Sequence, residues 1–561
     1  MTKEKRTKKT TRRYGKNEKA IFVHSLKNTN WTELYRLKTC SEQFECFDKI
    51  MTDLINTCFP MKTVTTHSKD KPWVTNGYKQ LIKERQNAKA RGDTEKYRTL
   101  RNRINRATKH LRSKFYNRKV KQLYASDSRQ WWNNVGQIIG ANRPDPKDTF
   151  TNMANNYTEG DYQRLANDMN SFFQSISSDL PPIAKDHPYL RSETNIQDTH
   201  IISVSEVERQ LMQIKAGKAA GPDGIQAWML RDLAPILAPP ITAIFNSSIR
   251  DGYVPEKWKS AIVTPLPKKT PASILEKDIR PISLTCLIAK ELERIVIKRL
   301  RLYTSTKSDP LQFGNKKGVS TTDMLIKLLH NWHAETDKGH AVRIVFLDYS
   351  KAFDRVNHNI LLDKLAAYDL PPFLLKWLTS FLFERSQRVR LGEFISDILY
   401  LAGAVPQGAI FGMEGFLALI DDLRPPLPLF KYVDDSTAFD ILRKSNPDSS
   451  ALQDSINETV KWTRENDMKI NAQKTHEMII SFSKNQPDPP PIKIDGEDIA
   501  RVDCAKLVGI HLQNNLKWDT HIGEIVKKAK KKTIFLITAE TLRCPSKSSR
   551  SFFSNGHNTT T

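Results

Sequence analysis

One apolar run constrains the fold more than any other stretch: residues 341–348, AVRIVFLD. Its enrichment in Val, Ile and Phe favours a strand buried on both faces. The run ends in Asp348, so a carboxylate is expected at the C-terminal end of a core strand. A lone acid there is ordinarily a cap or turn residue, but a second segment gives it weight. FKYVDDSTAF, 430–439, sets Asp434 and Asp435 between two strand-like pieces and reads as a hairpin with the acids at its tip. Adjacent aspartates can be plain turn chemistry. Held together between apolar strands, however, they repel, and desolvation adds to the cost. A divalent cation removes both penalties, and Mg²⁺ binds through one or two carboxylates plus substrate phosphates. Asp348 and Asp434 on neighbouring strands could hold two ions about 4 Å apart, the arrangement for in-line phosphoryl or nucleotidyl transfer.

The charge balance narrows the partners. The chain has 561 residues, with 88 Lys and Arg against 62 Asp and Glu, a net charge of +26. Such an excess points to a polyanion, nucleic acid first and an acidic membrane surface second. The length corresponds to about three or four domain-sized blocks. Six cysteines without a CxxC pair exclude a disulfide-dense scaffold and argue against a cysteine zinc site. No signal-peptide apolar segment and no 18-residue apolar run is visible, so no membrane span and an intracellular location are expected, with the nucleus as a candidate.

Along the chain, residues 1–65 read as a basic tail followed by a short helical region. The tail, 1–19, is either unstructured or a nuclear-localisation or nucleic-acid arm. A basic helical region is expected over 66–140. Within it, 79–121 holds 16 Lys and Arg and three acids. Leu81, Ala88, Leu100, Ile104, Leu111 and Phe115 recur there at helical spacing. A solvated helix and a phosphate-tracking helix both satisfy that pattern. Residues 141–202 read as a linker with one amphipathic helix near 160–176. Ser203 and Glu206 then form a capping-box pattern ahead of Val207, Leu211 and Ile214. From 203 to about 520, helical and strand-like segments alternate, which signals a domain mixing helix and sheet. Beyond Leu542 no packing pattern is left.

With these residues in view, the chain resembles the reverse transcriptases of non-LTR retrotransposons, in particular the jockey-like branch. LDYSKAFDRVNH at 347–358 resembles the first catalytic motif, GAVPQGAIFG at 403–412 the template- and nucleotide-binding motif, and YVDD at 432–435 the metal-binding hairpin. KAAGPDGI at 218–225, TPLPKK at 264–269 with IRPISL at 279–284, QFGNKKGVSTTDML at 312–325 and NAQKTHEMIISF at 471–482 follow the family's order. KLVGIHLQNNLKWDTHI at 506–522 resembles the primer-grip region leading into the thumb.

The resemblance implies an α+β right-hand polymerase. Residues 203–520 would be its fingers and palm, and 521–561 a partial thumb and disordered tail. It implies an RNA-directed DNA polymerase (a nucleotidyltransferase) that uses two Mg²⁺ ions, or Mn²⁺ in their place. Its partners would be an RNA template, a DNA primer or target DNA, and deoxynucleoside triphosphates, with no membrane. Asp348, Asp434 and Asp435 take the catalytic, metal-binding positions. Phe353 takes that of the ribose gate, with core packing as its alternative. Gln407 and Gly408 match the loop meeting template base and incoming nucleotide. Lys268 and Arg280 match finger residues on the triphosphate. Lys474 matches the lysine that protonates the leaving pyrophosphate.

Three departures stand out. Ala409 replaces the usual Ser, Met413-Glu414 replaces Pro-Leu, and Ile279 replaces a Tyr. An unpaired Glu414 in its apolar stretch would be costly. No acid or His motif of the family's endonuclease domain precedes 203, and the thumb looks cut short, so a partial copy of an element is expected. The alternative reading is a catalytically inactive, nucleic-acid-binding remnant of such an element.

Overall fold

The computed structural model describes residues 6–67, 71, 73–124, 146–193, 200–269, 272–443, 445, 450–483 and 488–541. The chain divides into two units, one of Met1–Arg13, Met61–Asp145 and Ile525–Thr561, the other of Tyr14–Pro60 and Pro146–Glu524. Residues 141–145 and 194–199 of the expected linker, and the tail beyond 541, lie outside the described residues.

In the first unit, β1 (Arg6–Arg12) pairs antiparallel with β2 (Met61–His67), Arg6 opposite His67. Both strands are rich in Thr, which suits a pleated surface. Over Arg6–Arg12 the expected basic tail is therefore a strand, and its last residues open the helix Lys16–Lys27. Two helices follow, Asn76–Ala90 and Thr94–Tyr124, on the stretch read as basic and helical. Thr75 caps the first by accepting the Tyr78 N–H at 3.2 Å. Gly92, with φ of 73°, turns the chain between them. The helices meet where Ala88, Leu100 and Ile104 are buried, and the Tyr78 and Thr108 hydroxyls lie 2.8 Å apart.

In the second unit, the helix Cys40–Cys58 starts on a capping box of Thr39 with Glu42. It buries Phe44, Phe47, Met51 and Ile55 in the main core. Phe44 meets Trp258 edge-on at 5.3 Å, and Lys257 Nζ reaches both Asp48 carboxylate oxygens at 2.7 Å. Residues 14–60 are thus part of the large core, because one helix face is continuously apolar.

The expected amphipathic helix is present as Tyr162–Ser175, capped by Asp161, which accepts the Gln163 N–H at 2.8 Å and the Arg164 N–H at 3.1 Å. With the helix Pro146–Thr158 it buries Phe150, Met153, Leu165, Met169 and Phe173 against Val263, Ile279 and Val389. What reads as a linker is, over these residues, a packed layer. Ser203 caps the helix Val204–Met212 by accepting the Glu206 N–H at 3.2 Å, and Val207 and Leu211 are buried as their spacing implies.

Two sheets organise the rest. β3 (Ser260–Pro267) pairs with β4 (Ile279–Leu284) on one side. On its other side β3 runs parallel to β6 (Ser386–Leu391), which also pairs with β7 (Phe394–Ile395) and β8 (Leu399–Tyr400). The second sheet has β5 (Ala341–Leu347) at its centre. β10 (Asp435–Leu442) and β9 (Leu429–Tyr432) lie on one side of it, and β11 (His476–Ile480) lies on the other. A minimal hairpin of β12 (Lys493–Ile494) and β13 (Glu497–Asp498) then leads to β14 (Ala500–Arg501), which runs parallel to β11 at the sheet edge.

Every residue of β5 is buried. Val342, Ile344 and Phe346 pack with Met324, Leu328 and Trp332 of the helix Thr321–Asp337, while Val345 and Leu347 enter the main core. The one polar member, Arg343, is buried in an ion pair with Glu477 of β11, which also meets Arg501 at 3.3 Å. A small hairpin of β15 (Cys504–Leu507) and β16 (Ile510–Gln513) follows, ahead of a helix beginning at Asp519. The architecture is α+β, and no helix among the described residues is long and apolar enough to cross a membrane.

Candidate active site

The antiparallel register of β5 and β10 sets Leu347 opposite Ser436. One step further along both strands the facing pair is Asp348 and Asp435. Tyr432 pairs with Asp435, so Val433 and Asp434 form a two-residue hairpin turn. Register alone therefore gathers Asp348, Asp434 and Asp435 at one end of the sheet. Asp435 opens β10, while Asp434 occupies the turn itself.

The electrostatics match the crowding. Burial raises the Asp434 carboxyl above its ordinary range, and the charge of Asp348 adds to this. Burial also raises Asp435, with Asp434 and Asp348 adding repulsion and Lys506 of β15 opposing it. Asp348 Oδ2 is buried without a hydrogen-bond donor, and Lys474 Nζ forms an ion pair with it at 3.5 Å. Carboxylates that repel one another and leave lone pairs unused fit a hard divalent cation. Among the described residues no group of three or more His, Cys, Asp or Glu is placed so that it could hold a metal ion by itself.

The turn is conformationally expensive. Val433 has φ of 63°, a left-handed value that a β-branched residue rarely adopts. Such strain costs of order 1–3 kcal/mol and persists only where its surroundings over-determine it. Here they do. Gln312 Oε1 accepts the Val433 N–H at 3.0 Å and the Gly314 N–H at 2.8 Å. Phe313 N donates to Lys431 O at 2.8 Å, and Lys431 N to Leu311 O at 2.9 Å, which lays 311–313 along β9. Lys431 is fully buried, its ammonium held by Asp309 Oδ2 at 2.8 Å and by the Ile420 and Leu423 carbonyls at 2.9 Å each.

Of the other candidates, Lys474 reaches this centre directly, through its ion pair with Asp348. Lys268 follows β3; burial lowers its pKa, and the charges of Lys474 and Arg280 lower it further, so the three cations share one locality. Arg280 lies on β4 opposite Leu266 of β3, exposed to solvent. Phe353 sits in the turn Ala352–Arg355, half-buried, stacked on Phe416 with ring centres 4.8 Å apart. Gln407 accepts the Ser283 N–H through its backbone carbonyl at 2.9 Å and points its side-chain amide at Asp354 at 3.4 Å. Burial pushes the Asp354 carboxyl up to about 6. Gly408 has φ of 133°, and a Cβ there would stand 2.5 Å from the Ser283 carbonyl, so only glycine fits.

Glu414 is not the orphan its apolar neighbours imply. Its carboxylate accepts from Arg301 Nε at 3.0 Å and Asn315 Nδ2 at 2.6 Å. The helix it belongs to, Phe411–Ile420, is capped from outside by buried Glu293, which accepts the Ile410 and Phe411 N–H groups at 2.7 and 3.0 Å. Neither Glu293 nor the roles of Gln312 and Lys431 stand out in the sequence. A buried Lys inside FKYVDD is the one local signal, since such a group needs a partner.

With this geometry in hand, comparison with known proteins is decisive. Residues 266–516 match the family described as reverse transcriptase (RNA-dependent DNA polymerase). The chain carries a reverse transcriptase domain. Its relatives are of the non-LTR retrotransposon kind. It is 29% identical over 339 residues to the RNA-directed DNA polymerase from mobile element jockey of Drosophila melanogaster, covering 58% of this chain and 36% of that protein. It is 28% identical over 334 residues to the probable RNA-directed DNA polymerase from transposon X-element of the same fly, covering 57% and 36%. A third relative, the probable RNA-directed DNA polymerase from transposon BS, also of Drosophila melanogaster, is 26% identical over 340 residues, covering 58% and 37%. The chain thus spans just over a third of the length of these curated relatives. The reverse transcriptase family generally uses divalent metal ions.

Proposed function

We propose that the chain is an RNA-directed DNA polymerase that extends a DNA 3′-OH on an RNA template. The convergence of Asp348, Asp434 and Asp435 at the end of the β5–β10 pair carries this reading. The 3′ oxygen bonds to the α-phosphorus of a deoxynucleoside triphosphate, the bond to the β-phosphate oxygen breaks, and pyrophosphate leaves. The three aspartates would hold two Mg²⁺ ions, or Mn²⁺, which when bound neutralise charge on the transferring group and lower the pKa of the attacking hydroxyl.

The chain's own residues do the rest. Lys268 and Arg280, grouped with Lys474 in one cationic patch, bind triphosphate oxygens. Lys474 holds a proton for the departing pyrophosphate, as a positioned general acid. Phe353, braced by Phe416, lies under the sugar and excludes a 2′-OH. Gln407 and Gly408 orient the template base and the incoming nucleotide. In this reading 203–520 form fingers and palm, with the β5 sheet as the palm floor, and the helix from Asp519 starts the thumb.

An inactive remnant would be favoured by an unsatisfied acid at 414, and Glu414 is paired. Extension of oligo(dT) on poly(rA) by the full chain, with and without Mg²⁺, tests the proposal. Mg²⁺-dependent synthesis of DNA supports it. A soluble, folded chain that binds the primer–template and adds no nucleotide under either Mg²⁺ or Mn²⁺ sinks it.

A further inference from the structure

We propose that Gln312 is the positioning residue of the metal-binding turn: its side-chain carbonyl forces Val433 into the left-handed conformation and so decides where Asp434 stands. This rests on the polymerase reading of the three aspartates and deepens it.

The Val433 N–H faces away from the hairpin ladder, because the turn leaves it without a strand partner, and it ends on Gln312 Oε1 at 3.0 Å. The same oxygen takes the Gly314 N–H at 2.8 Å. Two backbone donors converging on one atom require an acceptor, which fixes the orientation of the amide. Gln312 is buried, and its Nε2 makes no hydrogen bond among the described residues, so the side chain is held by its oxygen alone.

The backbone approach is as tight as chemistry allows. A Cβ on Gly314 would stand 2.5 Å from Val433 Cγ2 and 2.6 Å from Val433 N. Lys431, two residues before the turn, is anchored to Asp309, three residues before Gln312, at 2.8 Å. One short segment, 309–314, therefore grips the hairpin at its ammonium, its β9 edge and its turn. A valine freed of that grip would return to negative φ, where β-branched residues are comfortable. Asp434, the next residue, would swing with it. The carboxylate spacing set by the β5–β10 register would then fail at the one acid that sits in the turn.

The test uses the full chain and Mn²⁺ binding read by electron paramagnetic resonance, which does not depend on turnover. Asp434→Asn defines the signal that belongs to this site. Gln312→Met removes the acceptor and keeps the volume. It should weaken Mn²⁺ binding about tenfold, the scale of one lost buried hydrogen bond. In a Val433→Gly background, where positive φ carries no steric penalty, the same change should cost no more than about twofold. Gln312→Glu keeps an acceptor and should stay within about threefold of wild type.

Equal losses with and without the Val433→Gly substitution would reduce Gln312 to general core packing and overturn the proposal. So would unchanged Mn²⁺ binding by Gln312→Met. If Gln312→Met fails to fold, the Gln312→Glu result decides: a loss as large as that of Asp434→Asn overturns it, and retained binding supports it. Absence of any Mn²⁺ signal removed by Asp434→Asn would instead refute the polymerase reading on which the proposal rests.

Discussion

Lys474 Nζ lies 3.5 Å from Asp348 Oδ2. The backbone explains the pairing. Asn471 N donates to the Asp348 carbonyl at 2.7 Å, and Asp348 N donates to Thr475 Oγ1 at 3.3 Å, so the turn bearing Lys474 is stitched to the end of β5. A general acid held there should matter to chemistry and not to template binding. Lys474→Met is expected to slow single-turnover nucleotide addition by roughly 100-fold, the low end for a lost general acid, while primer–template affinity stays put. Lys474→Arg should recover little, because guanidinium gives up its proton far less readily. Undiminished addition by Lys474→Met would make the lysine an ordinary surface charge.

Phe353 is stacked on Phe416 yet remains half-exposed, which is what a ring closing the floor of a sugar pocket requires. Shrinking it to Val should raise ribonucleotide incorporation relative to deoxynucleotide incorporation by about tenfold in single-nucleotide assays. Some stability will be lost with the stacking partner. A ratio that does not move in a folded variant would return Phe353 to core packing.

His358 makes the stability of the fold depend on pH. Burial, reinforced by the charge of Arg385, depresses its pKa to about 4, against the donation of its Nε2–H to the Ala404 carbonyl at 2.7 Å. The unfolded chain takes up a proton at about 6.5. The folded state therefore holds a stabilisation on the order of 3 kcal/mol above about pH 6.5, lost progressively as pH falls towards 4. Half-buried Asp223 and Asp354, both pushed up to about 6 by desolvation, act in the opposite sense over the lower part of that window. Comparison with His358→Gln cancels them. Between pH 7 and 5 the urea midpoint of wild type should fall relative to that of His358→Gln; parallel curves would contradict the assignment.

The helix Thr94–Tyr124 carries nine Lys and Arg and no acid between Lys96 and Arg118. Arg98, Arg101, Lys109 and Arg112 are exposed at helical spacing on the face away from buried Leu100 and Ile104. Like charges at these spacings repel, and a polyanion relieves them. Replacing these four by Gln should flatten the log–log salt dependence of RNA binding by about 0.7 for each phosphate no longer engaged. Filter binding across a salt series reads this directly. An unchanged slope would leave the face as a solvated helix surface.

How much of this was legible depended on how far the partners lie along the chain. The buried strand at 341–347 shows in its composition, the cap at Ser203 in its spacing to Glu206, and the hairpin around Asp434-Asp435 in its flanks. Each is local. The bond from Gln312 to Val433 spans 121 positions, and nothing near either residue marks it. Arg343 inside an apolar strand signals a buried partner, but Glu477 lies 134 positions away. Glu414 looks costly until Arg301 and Asn315 are folded beside it. Residues 146–158 are too polar in composition to advertise Phe150 and Met153, whose burial is decided by the sheet they cover. Motif resemblance supplied the roles that local physics could not.

In the proposed reaction Asp348 and Asp435, facing each other by register, and Asp434 in the turn hold the ions for nucleotidyl transfer. This is tested most directly by Asp434→Asn in the full chain, assayed for oligo(dT) extension on poly(rA) alongside RNA binding. The substitution removes one charge from a repelling, partly desolvated cluster, so the fold should survive it. Extension should fall below about a hundredth of wild type while RNA affinity is retained, because this carboxylate holds cations and not the template. Extension at about a tenth of wild type or more, in a protein that still binds RNA, would mean that Asp434 does not hold the catalytic ions.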